Sequence, residues 1–241
     1  MKLRSLIGFC ALAVASVAVA ADIEGNTCGL MNVPSTSEVT MIAVPWVNVG
    51  GGDVEVAKLV KTDTLTAGDE LYYYNGSTYY RWLLSADKKW TPSATTKEQG
   101  GKSVTAEAPG GTYGVARGKG LTIVRQNPSA EIWLYGQADA TAISSTVAPG
   151  TSSAPVYSLI ANPTTADKNI KTLGGSVGDQ ILLNDKTLYT KDSTGWYTWK
   201  VGATVANLPF TPKVKDYDNC VIPAGQGAWY VSVGGNPAIE W

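Results

Sequence analysis

Leu71-Tyr72-Tyr73-Tyr74-Asn75-Gly76-Ser77-Thr78-Tyr79-Tyr80-Arg81-Trp82 is the stretch whose reading decides the fold. Two runs of strand-favouring aromatic and apolar residues flank Asn75-Gly76, and an Asn-Gly step accepts positive φ at little cost. The segment therefore reads as a β-hairpin. Farther along, Ile181-Leu182-Leu183, Asn184-Asp185 and Thr187-Leu188-Tyr189 stand in the same arrangement.

The likeness extends outward from the hairpins. Ala67-Gly68-Asp69-Glu70-Leu71 is answered by Val177-Gly178-Asp179-Gln180-Ile181. Upstream, Met41-Ile42-Ala43-Val44-Pro45 is answered by Leu159-Ile160-Ala161-Asn162-Pro163. Downstream, Val115-Ala116-Arg117-Gly118-Lys119-Gly120 is answered by Ile222-Pro223-Ala224-Gly225-Gln226-Gly227. Asn127-Pro128 leads to Ile132-Trp133 much as Asn236-Pro237 leads to Ile239-Glu240-Trp241. Matches in one order predict a tandem duplication. Asp69 and Asp179 each follow a Gly just before a strand, where a carboxylate bonds neighbouring backbone N–H groups of a turn, so both read as structural.

The predicted fold class is all-β: two tandem antiparallel β-sandwich or small β-barrel repeats, with no amphipathic helix beyond the N-terminal segment. The first repeat domain spans 22–137 and the second 156–241. Between them, 138–155 is rich in Ala, Ser and Thr around Pro149-Gly150 and reads as a linker.

Residues 1–20 read as a secretory signal peptide. Lys2 and Arg4 precede the apolar run Leu6 to Ala15, and Ala18-Val19-Ala20 is a small-x-small cleavage pattern, which sets the cut before Ala21 or one residue later. The run is too short for an ordinary membrane span, and no later stretch reaches about 18 apolar residues. A secreted or cell-surface location is expected. The whole chain has 19 basic and 20 acidic residues, and losing Lys2 and Arg4 leaves 17 against 20, a net charge of −3. That balance carries no basic footprint for nucleic acid. An outer-membrane barrel, suggested by the terminal Trp241, conflicts with Gly234-Gly235-Asn236-Pro237, which interrupts the last strand.

The chain has no histidine. Ser-His-Asp and Cys-His constellations and histidine-ligated zinc are therefore excluded. Paired carboxylates remain possible, since a glycosidase needs only two acids at a suitable separation, with no pairing legible among Asp69, Glu70, Asp179 and Asp216. Asp216-Tyr217-Asp218-Asn219 lacks the spacing of a helix-loop-helix calcium site and reads as a solvated loop. No cofactor or metal is expected, and the chain does not read as an enzyme.

Cys28 and Cys220 both lie beyond the signal, and an oxidising compartment predicts a disulfide between them, with two thiols or an intermolecular bond as alternatives. Eight tryptophans remain to be placed. Trp82, Trp133, Trp229 and Trp241 occupy repeated or strand-terminal positions and read as core. Trp46, Trp196 and Trp199 are the candidates for stacking on a glycan, although core or edge packing also accounts for them. Trp196 and Trp199 fall on opposite faces of an ideal strand, so one of the two is the better candidate for exposure.

The second copy, Leu159 to Trp241, carries an apolar stretch ending in Asn-Pro, a Gly-Asp before a strand, then Trp, then Ile222-Pro223-Ala224-Gly225-Gln226-Gly227 followed by aromatic residues. In this it resembles a group of secreted β-repeat proteins of Verrucomicrobia, Lentisphaerae and related bacteria. The first copy departs from the pattern at Val44-Pro45 and Ala116-Arg117. The resemblance implies an exported surface or matrix protein and supplies no catalytic residues. The leading functional expectation is an extracellular structural or surface-assembly protein that associates with itself through strand edges, with Asp22 to Pro34 as a donor strand. The alternative is a module that binds an extracellular glycan through exposed Trp and Tyr.

Overall fold

The computed structural model describes residues 19–23, 26–99, 102–110, 112–139, 141–202, 213–235 and 237–241. Strands dominate it. The first half runs β1 (Val19–Ile23), β2 (Asn26–Val33), β3 (Val39–Ala43), β4 (Val54–Glu55), the single turn α1 (Val56–Leu59), β5 (Glu70–Tyr74), β6 (Tyr79–Leu84), β7 (Trp90–Pro92), β8 (Thr95–Gln99), β9 (Lys102–Glu107), β10 (Gly114–Val115), β11 (Gly120–Val124) and β12 (Ile132–Gln137). The second runs β13 (Ser144–Thr146), β14 (Val156–Ala161), β15 (Lys168–Asn169), β16 (Gln180–Leu182), β17 (Leu188–Lys191), β18 (Trp196–Val201), β19 (Lys213–Asp216), β20 (Val221–Ile222), β21 (Gly227–Ser232) and β22 (Ala238–Glu240).

The protein is all-β, and its pairings are antiparallel apart from β6 with β9. The first large sheet runs β3-β11-β5-β6-β9-β8, with β7 also on β6; the second runs β14-β21-β16-β17-β18-β19. Smaller sheets flank both: β4 with β10 and the three-stranded β1-β2-β12 in the first half, β15 with β20 and β13 with β22 in the second. Each half buries its own core, one around Ile42, Leu71, Leu121 and Leu134, the other around Ile160, Ile181, Trp196 and Tyr230. The one helical turn arises because Val56 and Leu59, three residues apart, both point into the first core.

The two Gly-Asp steps act alike. Gly68 and Gly178 have φ of +94° and +95°, a conformation open to glycine at no steric cost. The following carboxylates are fully buried. Asp69 accepts from the N–H of Thr66 at 2.9 Å and of Gln126 at 2.7 Å. Asp179 accepts from the N–H of Ser176 at 2.7 Å and of Val233 at 2.8 Å, and from the Tyr230 hydroxyl at 2.6 Å. Each acid thus closes its own turn and ties it to the chain just beyond the neighbouring strand, β11 or β21. In the first half buried Arg125 adds a second tie, donating to the carbonyls of Ala130, Ser37 (2.6 Å) and Ser35 (3.2 Å).

The halves meet along β3, the end strand of the first sheet. Ala43 N–H donates to Gly225 O at 2.8 Å, and Ile42 bridges Gln226. The Asn184 side chain accepts from Met41 N–H at 2.5 Å and donates to Met41 O at 2.8 Å, so a side-chain amide takes the role of a neighbouring strand.

Three sequence expectations need correction. Cys28 and Cys220 are separate buried thiols: Cys28 lies on β2 opposite Gln137 of β12, whereas Cys220 lies in the second core with its Sγ 3.6 Å from Asp216 O. Burial, with Asp216 nearby, pushes the Cys220 thiol up to about 11, so it stays protonated and unreactive. Asp22 to Pro34 is not a free donor, because Asn26–Val33 forms β2 and contributes Met31 and Val33 to the first core. The stretch 138–155 is not wholly a linker, because it supplies β13 and buries Val147 in the second core. The expected export signal falls mostly in residues 1–18, outside the described residues, and the expected cut before Ala21 falls within β1.

Asp179→Ala orphans two part-buried N–H groups and the buried Tyr230 hydroxyl, and should lower the unfolding free energy by about 3 kcal/mol; Tyr230→Phe should cost about 1 kcal/mol. Urea titration of both variants checks this. Equal effects would remove the backbone ties from the account.

Candidate functional site

Asp192-Ser193-Thr194-Gly195-Trp196-Tyr197-Thr198-Trp199-Lys200-Val201 builds the most distinctive surface of the molecule. Asp192 starts it. Its Oδ1 accepts from the N–H groups of Thr194 (2.8 Å) and Gly195 (3.1 Å), which turns the chain from β17 into β18. Along β18 the side chains alternate. Trp196 points inward, fully buried, and its indole N–H donates to Leu173 O at 3.1 Å. Tyr197, Trp199 and Val201 share the other face, where Trp199 is 55% exposed and Val201 73%.

Strand β19 completes that face. Register sets Lys215 opposite Trp199 and Lys213 opposite Val201. The Lys215 ammonium lies 4.2 Å above the Tyr197 ring and 2.6 Å from Asp192 Oδ2, which also accepts from the Tyr217 hydroxyl at 2.8 Å. Tyr217 packs 5.7 Å from Tyr197, and Trp199 meets Tyr197 edge to face at 5.6 Å with an interplanar angle of 88°. The hydrogen bond from Lys215, aided by those from Tyr217 and the turn, holds the Asp192 carboxyl well below the usual carboxylate range. An exposed indole is thus fixed on a shelf of two tyrosines, a lysine and an aspartate.

The opposite face of the ribbon is arranged differently. Asp216 accepts from Asn219 Nδ2 at 2.8 Å, from Lys200 at 3.1 Å and from Asp218 N–H at 3.1 Å, and these bonds lower it to about 2. Asp218 pairs with Lys171 at 2.9 Å. The segment Asp216-Tyr217-Asp218-Asn219 spends its acids on internal partners, and no group of three or more potential ligand residues converges among the described residues.

Of the three glycan candidates, only Trp199 has an accessible ring. Trp196 belongs to the second core, as its inward register requires. Trp46 is 5% exposed and lies over Gly29 and Gly136, which face each other across β2 and β12; a Cβ added at either glycine would come within 2.5 Å of Trp46. Among the tryptophans read as core, Trp82 is buried while Trp133, Trp229 and Trp241 are half-buried. Trp90 is buried as well, donating to Val60 O at 3.3 Å. Tyr197 was within reach of sequence reasoning, since it stands two residues before Trp199 on one strand. Lys215, Tyr217 and Asp192 were not, because only the β18–β19 register and the turn bring them there.

Elsewhere, a cleft of about 580 Å³ opens between 34–37 and 183–186, lined also by Pro223 and Gln226. Its acid, Asp185, accepts the Thr187 N–H in a turn, and its amide, Asn184, is committed to Met41. No helix among the described residues is long and apolar enough to cross a membrane. Comparison with protein-family models, with curated proteins and with solved structures found no match.

Asp192 and Asp216 both have folded pKa values below the ordinary carboxylate value. Their contribution to stability is therefore present above about pH 4 and is lost as the pH falls through the folded values. Asp192→Asn should be less stable than the parent at about pH 7, with the difference narrowing steadily as the pH falls below about 4 in urea titrations. A difference independent of pH would mean that the charge of Asp192 does not hold the shelf.

Proposed function

We propose that this chain is an exported protein, built by tandem duplication of a β unit, that binds an extracellular glycan through the Trp199 face of the β18–β19 ribbon. The observation that carries the reading is Trp199 itself: 55% exposed on an otherwise immobilised shelf, in a chain whose other tryptophans are buried or half-buried. A flat apolar ring open to water complements the C–H face of a pyranose, and the surrounding polar groups can hydrogen-bond the sugar's rim. The duplication is supported by the shared order of four strands, β3-β11-β5-β6 in the first sheet and β14-β21-β16-β17 in the second, and by the matching ties of Asp69 and Asp179. Export is supported by the signal-like N-terminus and by the resemblance to secreted β-repeat proteins.

Assembly through strand edges has less support. The β3 edge is already occupied by Asn184 and Gly225. At the β19 edge, two-fold antiparallel pairing with matched faces sets Lys213 opposite Lys215, or Lys215 opposite its own mate, and like charges directly opposed repel. A structural role through a sheet face is favoured by a different feature. Leu159, Trp229, Leu182 and Leu188 form one cross-strand row over the second sheet, with Leu182 37% and Leu188 43% exposed. Such a row buries readily against a neighbour.

A glycan array probed with the purified chain and with Trp199→Ala separates the two. The parent should bind a saccharide class and Trp199→Ala should weaken that binding about tenfold or more, with unchanged circular dichroism. Absence of any binding, together with sedimentation as a concentration-dependent oligomer, would turn the account to the apolar row.

A further inference from the structure

We infer that the ligand of the Trp199 face is an acidic polysaccharide, an inference that rests on the glycan-binding reading and narrows it. The two lysines of β19 stand on the same face as Trp199, Lys215 directly across from it and Lys213 two residues away. Two positions along a strand are separated by roughly 7 Å, so the cations line the path a chain of sugars takes past the indole. Lys215 is partly answered by Asp192, whereas Lys213 is exposed and has no ion-pair partner among the described residues.

The contrast with the reverse face sharpens the assignment. There Lys200 is held by the buried Asp216 carboxylate, so the ribbon's unanswered positive charge is confined to the side that carries the aromatic shelf. The molecule as a whole has a formal net charge of −1, which offers a polyanion no general attraction. A local cation beside an exposed indole, on a chain of mildly acidic balance, fits a ligand that combines stackable sugar faces with carboxylate or sulfate groups. A neutral glycan would leave the charge of the lysine unanswered.

Affinity electrophoresis of the purified chain through gels containing polygalacturonate, dextran sulfate or neutral dextran tests this, with variants Lys213→Ala, Trp199→Ala and, as a distant control, Lys61→Ala. The expected result is retardation by an acidic polymer that exceeds that by neutral dextran and weakens as salt rises from about 50 to 500 mM. Lys213→Ala should reduce the acidic affinity by about fivefold, Trp199→Ala should reduce it about tenfold or more, and Lys61→Ala should leave it unchanged. The response to polygalacturonate against dextran sulfate then identifies the anionic group. Equal binding of neutral and acidic polymers, or Lys213→Ala behaving as the parent, overturns the acidic ligand and leaves the glycan reading intact. No retardation by any polymer, or retardation undiminished by Trp199→Ala, overturns both.

Discussion

Two buried carboxylates hold this architecture in register. Asp69 and Asp179 sit where a β-turn meets the first residue of a strand, and each reaches across to an N–H just past the end of the adjacent strand. A buried carboxylate is costly unless donors saturate it. Placing one here makes the turn, the hairpin and the neighbouring strand mutually dependent, since displacing any of them strands the charge. In the second half Tyr230 adds a hydroxyl donor, and its own ionisation is pushed far up by burial and by the facing Asp179. In the first half the corresponding reinforcement is Arg125, whose guanidinium gathers the Ser35 and Ser37 carbonyls just before β3 and the Ala130 carbonyl beyond β11, and whose basicity is lowered by burial. The same turn is thus stabilised by two different solutions.

From this frame the functional surface follows by extension of the sheet. Holding β16 and β17 in place sets Trp196 into the core, and strand alternation then carries Tyr197 and Trp199 to the other side. Asp192 links the start of β18 to Lys215 on β19 and to Tyr217 just beyond it, so the exposed ring stands on a fixed base. An ordered base reduces the entropy lost when a ligand stacks on it. Lysines along the β19 edge also discourage pairing with another strand.

The hairpin at Leu71 to Trp82 was legible because Asn75-Gly76 signals a turn by local chemistry, and the Gly-Asp steps were legible for the same reason: Gly at positive φ, Asp bonding backbone N–H groups. The opposite faces of Trp196 and Trp199 were legible from strand periodicity. What escaped depended on contacts between distant segments. Strand β13 is three residues of Ser and Thr without periodicity, recognisable only beside β22. Trp46 looked available until Gly29 and Gly136, more than a hundred residues apart in the chain, proved to form the flat floor beneath it. The cysteines satisfied a compartment argument, yet a disulfide is decided by geometry, and each thiol lies in its own packed environment.

The central claim is that one tryptophan, held on an aromatic shelf and left open to water, receives the sugar. The most direct test is to follow the indole N–H resonances of ¹⁵N-labelled protein during titration with a saccharide that it binds. The account predicts that the Trp199 resonance shifts progressively while those of the buried Trp46, Trp90 and Trp196 stay in place. Shifts confined to other tryptophans, with Trp199 unmoved at saturation, would contradict it.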